Sequence, residues 1–135
     1  YANEVKLKPG VREFLDYCYD KGVKMCIASA TDIELLKIAI NHCDLSKYFL
    51  KIFSCAEIGK GKECPDIYLM TLEYLGTPKD STWVFEDSVV AIETATKIGM
   101  PTIAIFDRFN FGQERMKEIA TIYVAECESL LKVIK

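Results

Sequence analysis

Two adjacent acids follow a run of strand-forming residues and precede a segment with helical character. The run 82–85 is Thr-Trp-Val-Phe, and Glu86 and Asp87 come directly after it. In a parallel sheet covered by helices, strands are apolar runs and ligands gather at their carboxyl ends. Paired carboxylates at such an end suit a hard divalent cation such as Mg²⁺. Acids at strand ends also cap helices or face solvent in loops, and the pair alone does not decide between these interpretations.

Three further polar groups are predicted at the same edge of the sheet. Ser29 follows the apolar run 23–28, Lys62 lies in a glycine- and lysine-containing loop, and Asp107 follows the run 102–106. Parallel strands place their carboxyl ends at one edge, so residues distant in sequence become neighbours. A hydroxyl with N–H groups at a helix start can hold phosphate oxygens, and a lysine can offset charge on a transferring phosphoryl group. Asp107 is interpreted as a loop cap.

Helical and extended patterns alternate along the chain. The helix that Pro9 and Gly10 open has apolar residues at i, i+3, i+4 and i+7 and ends at Gly22. Thr31 and Glu34 predict a capping box for the next helix. Further helices are predicted over 32–42, 65–75, 88–98, 113–119 and 126–134. Strands are predicted over 23–28, 82–86, 102–106 and 122–124, and the segment 48–55, which Lys51 interrupts, is predicted to contain another short strand. This alternation predicts parallel βαβ units in a three-layer α/β fold with a mostly parallel sheet.

Composition limits the class of protein. The 135 residues fit one domain, and the net charge of -3 with a pI near 5.2 argues against a nucleic-acid-binding surface and a polybasic membrane patch. No apolar run reaches about 18 residues, so no membrane span is predicted. The six cysteines include no C-x-x-C pair, and two of them lie inside apolar patterns. Free thiols in a reducing cytoplasm are therefore predicted, which gives a cytoplasmic location.

Three short motifs occur in a fixed order with the expected elements between them. They are the segments Lys24–Thr31, Lys62–Tyr68 and Val84–Ser88. The chain resembles the haloacid dehalogenase-like (HAD) superfamily, in the branch of beta-phosphoglucomutase-like phosphatases and phosphomutases, and the segments resemble its second, third and fourth motifs. The resemblance covers Leu7 to Ile105 and implies a three-layer α/β/α Rossmann-like core.

The resemblance also implies a reaction and its residues. It predicts a Mg²⁺-dependent phosphatase or phosphomutase that acts on a small phosphorylated metabolite through an aspartyl-phosphate. It implies phosphate binding by Ser29, Ala30, Thr31 and Lys62, catalysis by Lys62 and Ser29, and a metal site at Glu86 and Asp87. Lys60 is a competing lysine, but the spacing to Pro65 and Asp66 favours Lys62. Glu63 stands where the family often has proline, which places an acid beside the lysine.

One motif of the family is missing. The first motif, an Asp-x-Asp that supplies the nucleophile and the general acid/base, occurs nowhere in these residues. The expected organisation is an upstream segment with a cap domain and the first strand, a linker over 1–8, and the core domain over 9–135. By this resemblance the missing strand lies between the runs 24–28 and 82–86. These two runs are therefore predicted not to hydrogen-bond directly, and the chain alone is predicted to be inactive.

Two other functions remain open. A non-catalytic HAD-like module would bind phosphate or Mg²⁺ and recognise a partner without turnover, and the upstream sequence discriminates it from an enzyme. A receiver-like signalling domain also uses carboxylates, a hydroxyl and a lysine at one sheet edge. It fits less well, because its phosphoacceptor aspartate should end a middle strand, whereas the strand near Phe53 ends in Ser54 and Cys55.

The remaining aromatic residues and the histidine are interpreted as structural. His42, the only histidine, lies near a predicted helix end and is interpreted as structural or solvent-facing. Trp83 is predicted to be in the core, and Tyr17, Tyr19 and Tyr68 are predicted to be packing residues on helices.

Overall fold

A computed structural model describes residues 10–30, 32–108, 110–126 and 128–134. The predicted linker over 1–8 and Thr31 lie outside the described residues. The helices are α1 Val11–Asp20, α2 Ile33–His42, α3 Cys55–Ile58, α4 Asp66–Leu75, α5 Val89–Lys97 and α6 Gln113–Ile119. The strands are β1 Ile27–Ser29, β2 Ile52–Ser54, β3 Val84–Glu86, β4 Thr102–Ile105 and β5 Ile122–Val124. Short 3-10 helices span Ser46–Tyr48, Lys79–Ser81 and Leu130–Ile134.

The strands form two parallel sheets, one in the order β1-β2 and the other in the order β3-β4-β5. Ser29 pairs in register with Ser54, and Glu86 pairs with Ala104. In the described part of the chain no ladder joins β1 to β3. This confirms the prediction that the runs 24–28 and 82–86 do not pair directly, and the predicted parallel α/β class is confirmed as well.

Helices join the two sheets on both faces. On one face, Phe14 of α1 packs in a cluster with Met25, which precedes β1, and with Phe85 of β3. The ring centroids of Phe14 and Phe85 are 5.2 Å apart. On the other face, Ala28 of β1 and Val84 of β3 share a cluster with residues of α4 and α5. The domain therefore has three layers, and side-chain packing connects its two sheets.

The start of α1 follows directly from its sequence. Phe14, Leu15 and Cys18 recur at helical spacing and are buried, as an amphipathic helix requires. Gly10 precedes the helix with a φ of 79°, and a Cβ there would lie 2.0 Å from Ser129 Oγ. Only glycine combines this left-handed conformation with so close an approach.

One predicted helix is shorter than expected, and one predicted cap lies outside the described residues. The side chain of Asp32 caps α2, because its Oδ1 accepts a 2.8 Å bond from the Glu34 N–H. The capping box predicted from Thr31 and Glu34 involves Thr31, which lies outside the described residues. The helix predicted over 126–134 is reduced to the 3-10 helix Leu130–Ile134, and the Ser129 hydroxyl accepts a bond from the Leu131 N–H at its start. A hydroxyl that bonds nearby backbone competes with regular helix, which accounts for the shortened element.

Three aromatic residues predicted to pack are exposed. Trp83 is 42% exposed because it immediately precedes β3, whose first residue Val84 takes the buried position. Tyr17 and Tyr19 lie on the outer side of α1, with exposures of 42% and 50%. His42 is exposed at the end of α2, in agreement with the solvent-facing interpretation. Among the described helices, none has the length and apolar character needed to span a bilayer.

Candidate functional site

A buried ion pair lies at the carboxyl end of β3. Glu86 is the last residue of that strand, and Lys62 belongs to the loop between α3 and α4. The Lys62 ammonium group donates a hydrogen bond to Glu86 Oε2, and the two side chains are only 18% and 8% exposed. Lys60 instead pairs with Asp66 at 3.3 Å, where both groups are well exposed. The loop therefore directs one lysine into the site and the other onto the surface.

Tyr68 is a third member of this cluster, and sequence reasoning missed it. Its ring is buried on α4, and its hydroxyl donates a 3.0 Å hydrogen bond to Glu86 Oε2. The prediction that Tyr68 only packs is therefore incomplete. The available signal was its place in an apolar helix pattern, because a buried tyrosine hydroxyl usually needs a hydrogen-bond partner.

The surroundings of Glu86 shift the pKa of its carboxyl in opposite directions. Burial raises the pKa of the Glu86 carboxyl, while the Lys62 charge and the hydrogen bonds from Lys62 and Tyr68 oppose that rise. The neighbouring charge of Asp87 adds to the rise. Burial also raises the pKa of Tyr68, as does the charge of Glu86, so the tyrosine hydroxyl keeps its proton and acts as a donor.

Cys55 connects the end of β2 to the same cluster. It follows β2 directly and packs in one buried cluster with Tyr68, whose hydroxyl bonds Glu86, so the carboxyl ends of β2 and β3 lie on the same side. Burial raises the pKa of the Cys55 thiol, with Lys62 acting in the opposite direction. A buried thiol that keeps its proton is a weak nucleophile. The predicted free thiols are confirmed for the five described residues, Cys18, Cys26, Cys43, Cys55 and Cys64.

The loop after β4 holds the backbone of the acidic pair. The Asn110 side chain donates a 2.9 Å hydrogen bond to the backbone carbonyl of Asp87, which is half-buried. Gln113 in turn donates to the carbonyl of Asp107 at 3.1 Å and accepts from the Tyr123 hydroxyl at 2.7 Å. This chain of bonds anchors the loop to β5, and through Asn110 it fixes the turn after β3. The sequence contained no signal for Asn110.

Three of the four predicted phosphate-binding residues lie at the end of β1 or directly after it. Ser29 is the last residue of β1 and is half-buried beside its register partner Ser54. Ala30 is exposed in the turn that leads to α2. Thr31 lies outside the described residues. The serine therefore occupies the strand end where sequence reasoning expected it, four residues before α2.

The two acids at the end of β3 provide the oxygen ligands that a hard cation prefers. Within the described ranges, no group of three or more histidine, cysteine or acidic side chains is placed to hold a metal ion. Glu86 and Asp87 supply two adjacent carboxylates at one strand end. Mg²⁺ is commonly held by one or two carboxylates, with water and substrate phosphate as its other ligands. The donor set therefore fits Mg²⁺.

Comparison with known proteins identifies similar chains. The sequence model of the haloacid dehalogenase-like hydrolases matches residues 1–105. A phosphorylated carbohydrates phosphatase from Thermotoga maritima is 30% identical over 136 residues, which cover 100% of this chain and 62% of that protein. Protein CbbY from Rhodobacter capsulatus is 28% identical, with 84% of this chain and 51% of that protein covered.

A solved structure shows the same fold. The HAD phosphatase from Thermococcus onnurineus matches with a TM-score of 0.81 at 20% identity, over 99% of this chain and 60% of that one. The chain thus spans between 51% and 62% of the length of these three proteins.

Proposed function

The chain belongs to the haloacid dehalogenase-like hydrolases, and from this premise we propose that the full-length protein is a Mg²⁺-dependent phosphatase or phosphomutase. The observation that carries the proposal is the buried Lys62–Glu86 ion pair at the end of β3, with Asp87 beside it. Burying two charges is costly, and an ion pair placed at a strand end where ligands gather is better explained by function than by stability.

The residues of this chain have distinct roles in the proposed reaction. Ser29 binds oxygens of the phosphoryl group through its hydroxyl at the end of β1. Lys62, held in place by Glu86, offsets negative charge on the phosphoryl group and on the attacking oxygen. Glu86 and Asp87 would hold Mg²⁺, whose positive charge would offset the negative charge of the phosphoryl group.

The nucleophile is proposed to come from an upstream aspartate. Its carboxylate oxygen attacks phosphorus, the bond from phosphorus to the substrate oxygen breaks, and the leaving oxygen takes a proton from a neighbouring acid. Water or a second substrate then receives the phosphoryl group from the aspartyl-phosphate. The absence of a ladder between β1 and β3 among the described residues supports a strand from that upstream segment between them.

Small sugar phosphates are the first substrates to test. The Thermotoga maritima relative is named for phosphorylated carbohydrates, and it is 30% identical to this chain. The assay measures phosphate release by the metal-depleted full-length protein, with and without added Mg²⁺. Asp87→Asn should abolish the Mg²⁺-dependent rate and leave the fold intact. Asp80→Asn, at an exposed acid outside the site, serves as the control and should leave the rate unchanged.

Two outcomes would separate the proposal from its alternatives. Full activity of Asp87→Asn with a generic phosphate ester would refute the assigned metal site. Mg²⁺ or phosphate binding without turnover, in a full-length protein that has no upstream aspartate motif, would instead support a non-catalytic binding module. Transfer of phosphate between positions of a sugar phosphate, rather than to water, would favour a phosphomutase.

A further inference from the structure

Two hydrogen-bond donors converge on a single oxygen of Glu86. Lys62 Nζ and the Tyr68 hydroxyl both bond Oε2. Among the described residues, no donor bonds the other oxygen, Oε1. No buried side-chain oxygen or nitrogen in this part of the protein lacks a partner, so Oε1 retains access to solvent. The carboxylate is therefore held on one side and open on the other.

We propose that Tyr68 is a positioning residue, whose hydroxyl orients Glu86 so that Oε1 is the oxygen offered to a divalent cation. This inference rests on the proposed function, because it assigns Tyr68 to the metal site of that reaction. Tyr68 does not touch the cation or the substrate in this role. It acts through Glu86.

The Tyr68 hydroxyl gives Glu86 a hydrogen bond of fixed position and direction, which Lys62 alone does not. Lys62 reaches Glu86 from a loop on a flexible four-carbon stem, whereas Tyr68 projects from α4 with its ring 3% exposed. The rigid, buried ring sets both the position and the direction of its O–H group. A phenylalanine would fill nearly the same volume, so packing alone does not require the oxygen. Removing a partner that holds a metal ligand in this way typically costs about 10–100-fold in metal affinity or activity.

The test measures Mn²⁺ binding, by electron paramagnetic resonance, to the metal-depleted full-length protein. Tyr68→Phe should weaken Mn²⁺ binding by about ten-fold, because Glu86 loses one of its two orienting bonds. Tyr74→Phe is the matched control: it removes the same hydroxyl from the same helix at a position that is 50% exposed, and it should bind Mn²⁺ like the wild type. Thermal unfolding checks that both variants are folded.

A second background separates orientation from general packing. In Glu86→Asp the carboxylate is withdrawn by one methylene and no longer meets the tyrosine, so adding Tyr68→Phe should weaken Mn²⁺ binding no further. The inference would be overturned if Tyr68→Phe weakened Mn²⁺ binding equally in the wild type and in Glu86→Asp. A Mn²⁺ dissociation constant of Tyr68→Phe within about two-fold of the wild type would also overturn it. Failure of the proposed function gives a different result, because the wild type and Asp87→Asn would then bind Mn²⁺ equally weakly.

Discussion

The Lys62–Glu86 ion pair yields a sharp prediction for stability. Lys62→Met removes the charge that compensates a carboxylate that is 8% exposed. Breaking a buried pair from one side typically costs about 3–5 kcal/mol, because the remaining charge stays buried without compensation. Lys60→Met is the matched control in the same loop. Its pair with Asp66 is 56% and 39% exposed, and such pairs contribute only about 0.2–1 kcal/mol.

The measurement is the free energy of unfolding in EDTA, from urea titrations of the wild type and each variant. Lys62→Met should lower it by at least about 3 kcal/mol, and Lys60→Met by less than about 1 kcal/mol. The double variant Lys62→Met with Glu86→Gln removes both charges and should recover most of the loss. The coupling between the two positions should therefore exceed about 1 kcal/mol.

The pH dependence of Lys62→Met has a definite sign. Burial raises the pKa of Glu86, so the folded state binds this proton more tightly than the unfolded state does. The free energy of unfolding therefore rises as the pH falls below the pKa of Glu86 in the folded state. The rise ends once the pH is below the pKa of this carboxyl in the unfolded state. Without Lys62 the folded pKa goes higher still, and the deficit against the wild type should shrink towards acid pH. The reasoning would be refuted if Lys62→Met and Lys60→Met lost equally small amounts of unfolding free energy. It would also be refuted if Lys62→Met with Glu86→Gln were no more stable than Lys62→Met alone.

Three further predictions follow from other contacts. Lys62→Ala should lower turnover by about a hundred-fold or more and Lys60→Ala should not, whereas the reverse would mean that the third motif begins two residues earlier. Gly10→Ala should destabilise more than Gly22→Ala in urea titrations, because both glycines have a positive φ but only Gly10 adjoins other atoms; equal losses would contradict the contact. The amide of Phe85 points away from β4. If an upstream strand pairs with β3, this amide should exchange its hydrogen slowly in the full-length protein, and fast exchange would contradict that pairing.

The order of elements was predictable because local pattern and packing agree along most of the chain. The helical spacing of Phe14, Leu15 and Cys18 appears in the structure as the buried face of α1. Trp83 shows the limit of such patterns: an apolar run does not reveal which of its residues lies outside the paired strand. The cap of α2 shows another limit, because the helical pattern did not identify Asp32 as the residue whose side chain accepts the bond from the Glu34 N–H.

The site was predictable in its residue types and not in its contacts. The lysine, the serine and the acids near strand ends could be located from the sequence, because the carboxyl ends of parallel strands lie at one edge of the sheet. Which lysine turns inward depends on the path of a short loop, and the structure pairs Lys62 with Glu86 and Lys60 with Asp66. The bond from Tyr68 to Glu86 joins α4 to β3 across the sequence, and only the assembled fold brings the two together.

Among the described residues, side-chain packing holds the two sheets together and no ladder joins them. The backbone groups at the facing edges of the sheets indicate where the proposed upstream strand would lie. Ile27 bonds towards β2 and Val84 towards β4, so in parallel strands the backbone groups of Ala28 and Phe85 point away from those partners. Unpaired backbone groups buried between packed helices are costly, and an inserted strand would satisfy them on both sides. Such a strand, parallel to its neighbours, would end between Ser29 and Glu86. An aspartate at that end would meet the hydroxyl, the lysine and the acids together, which is the position that the proposed reaction requires of its nucleophile.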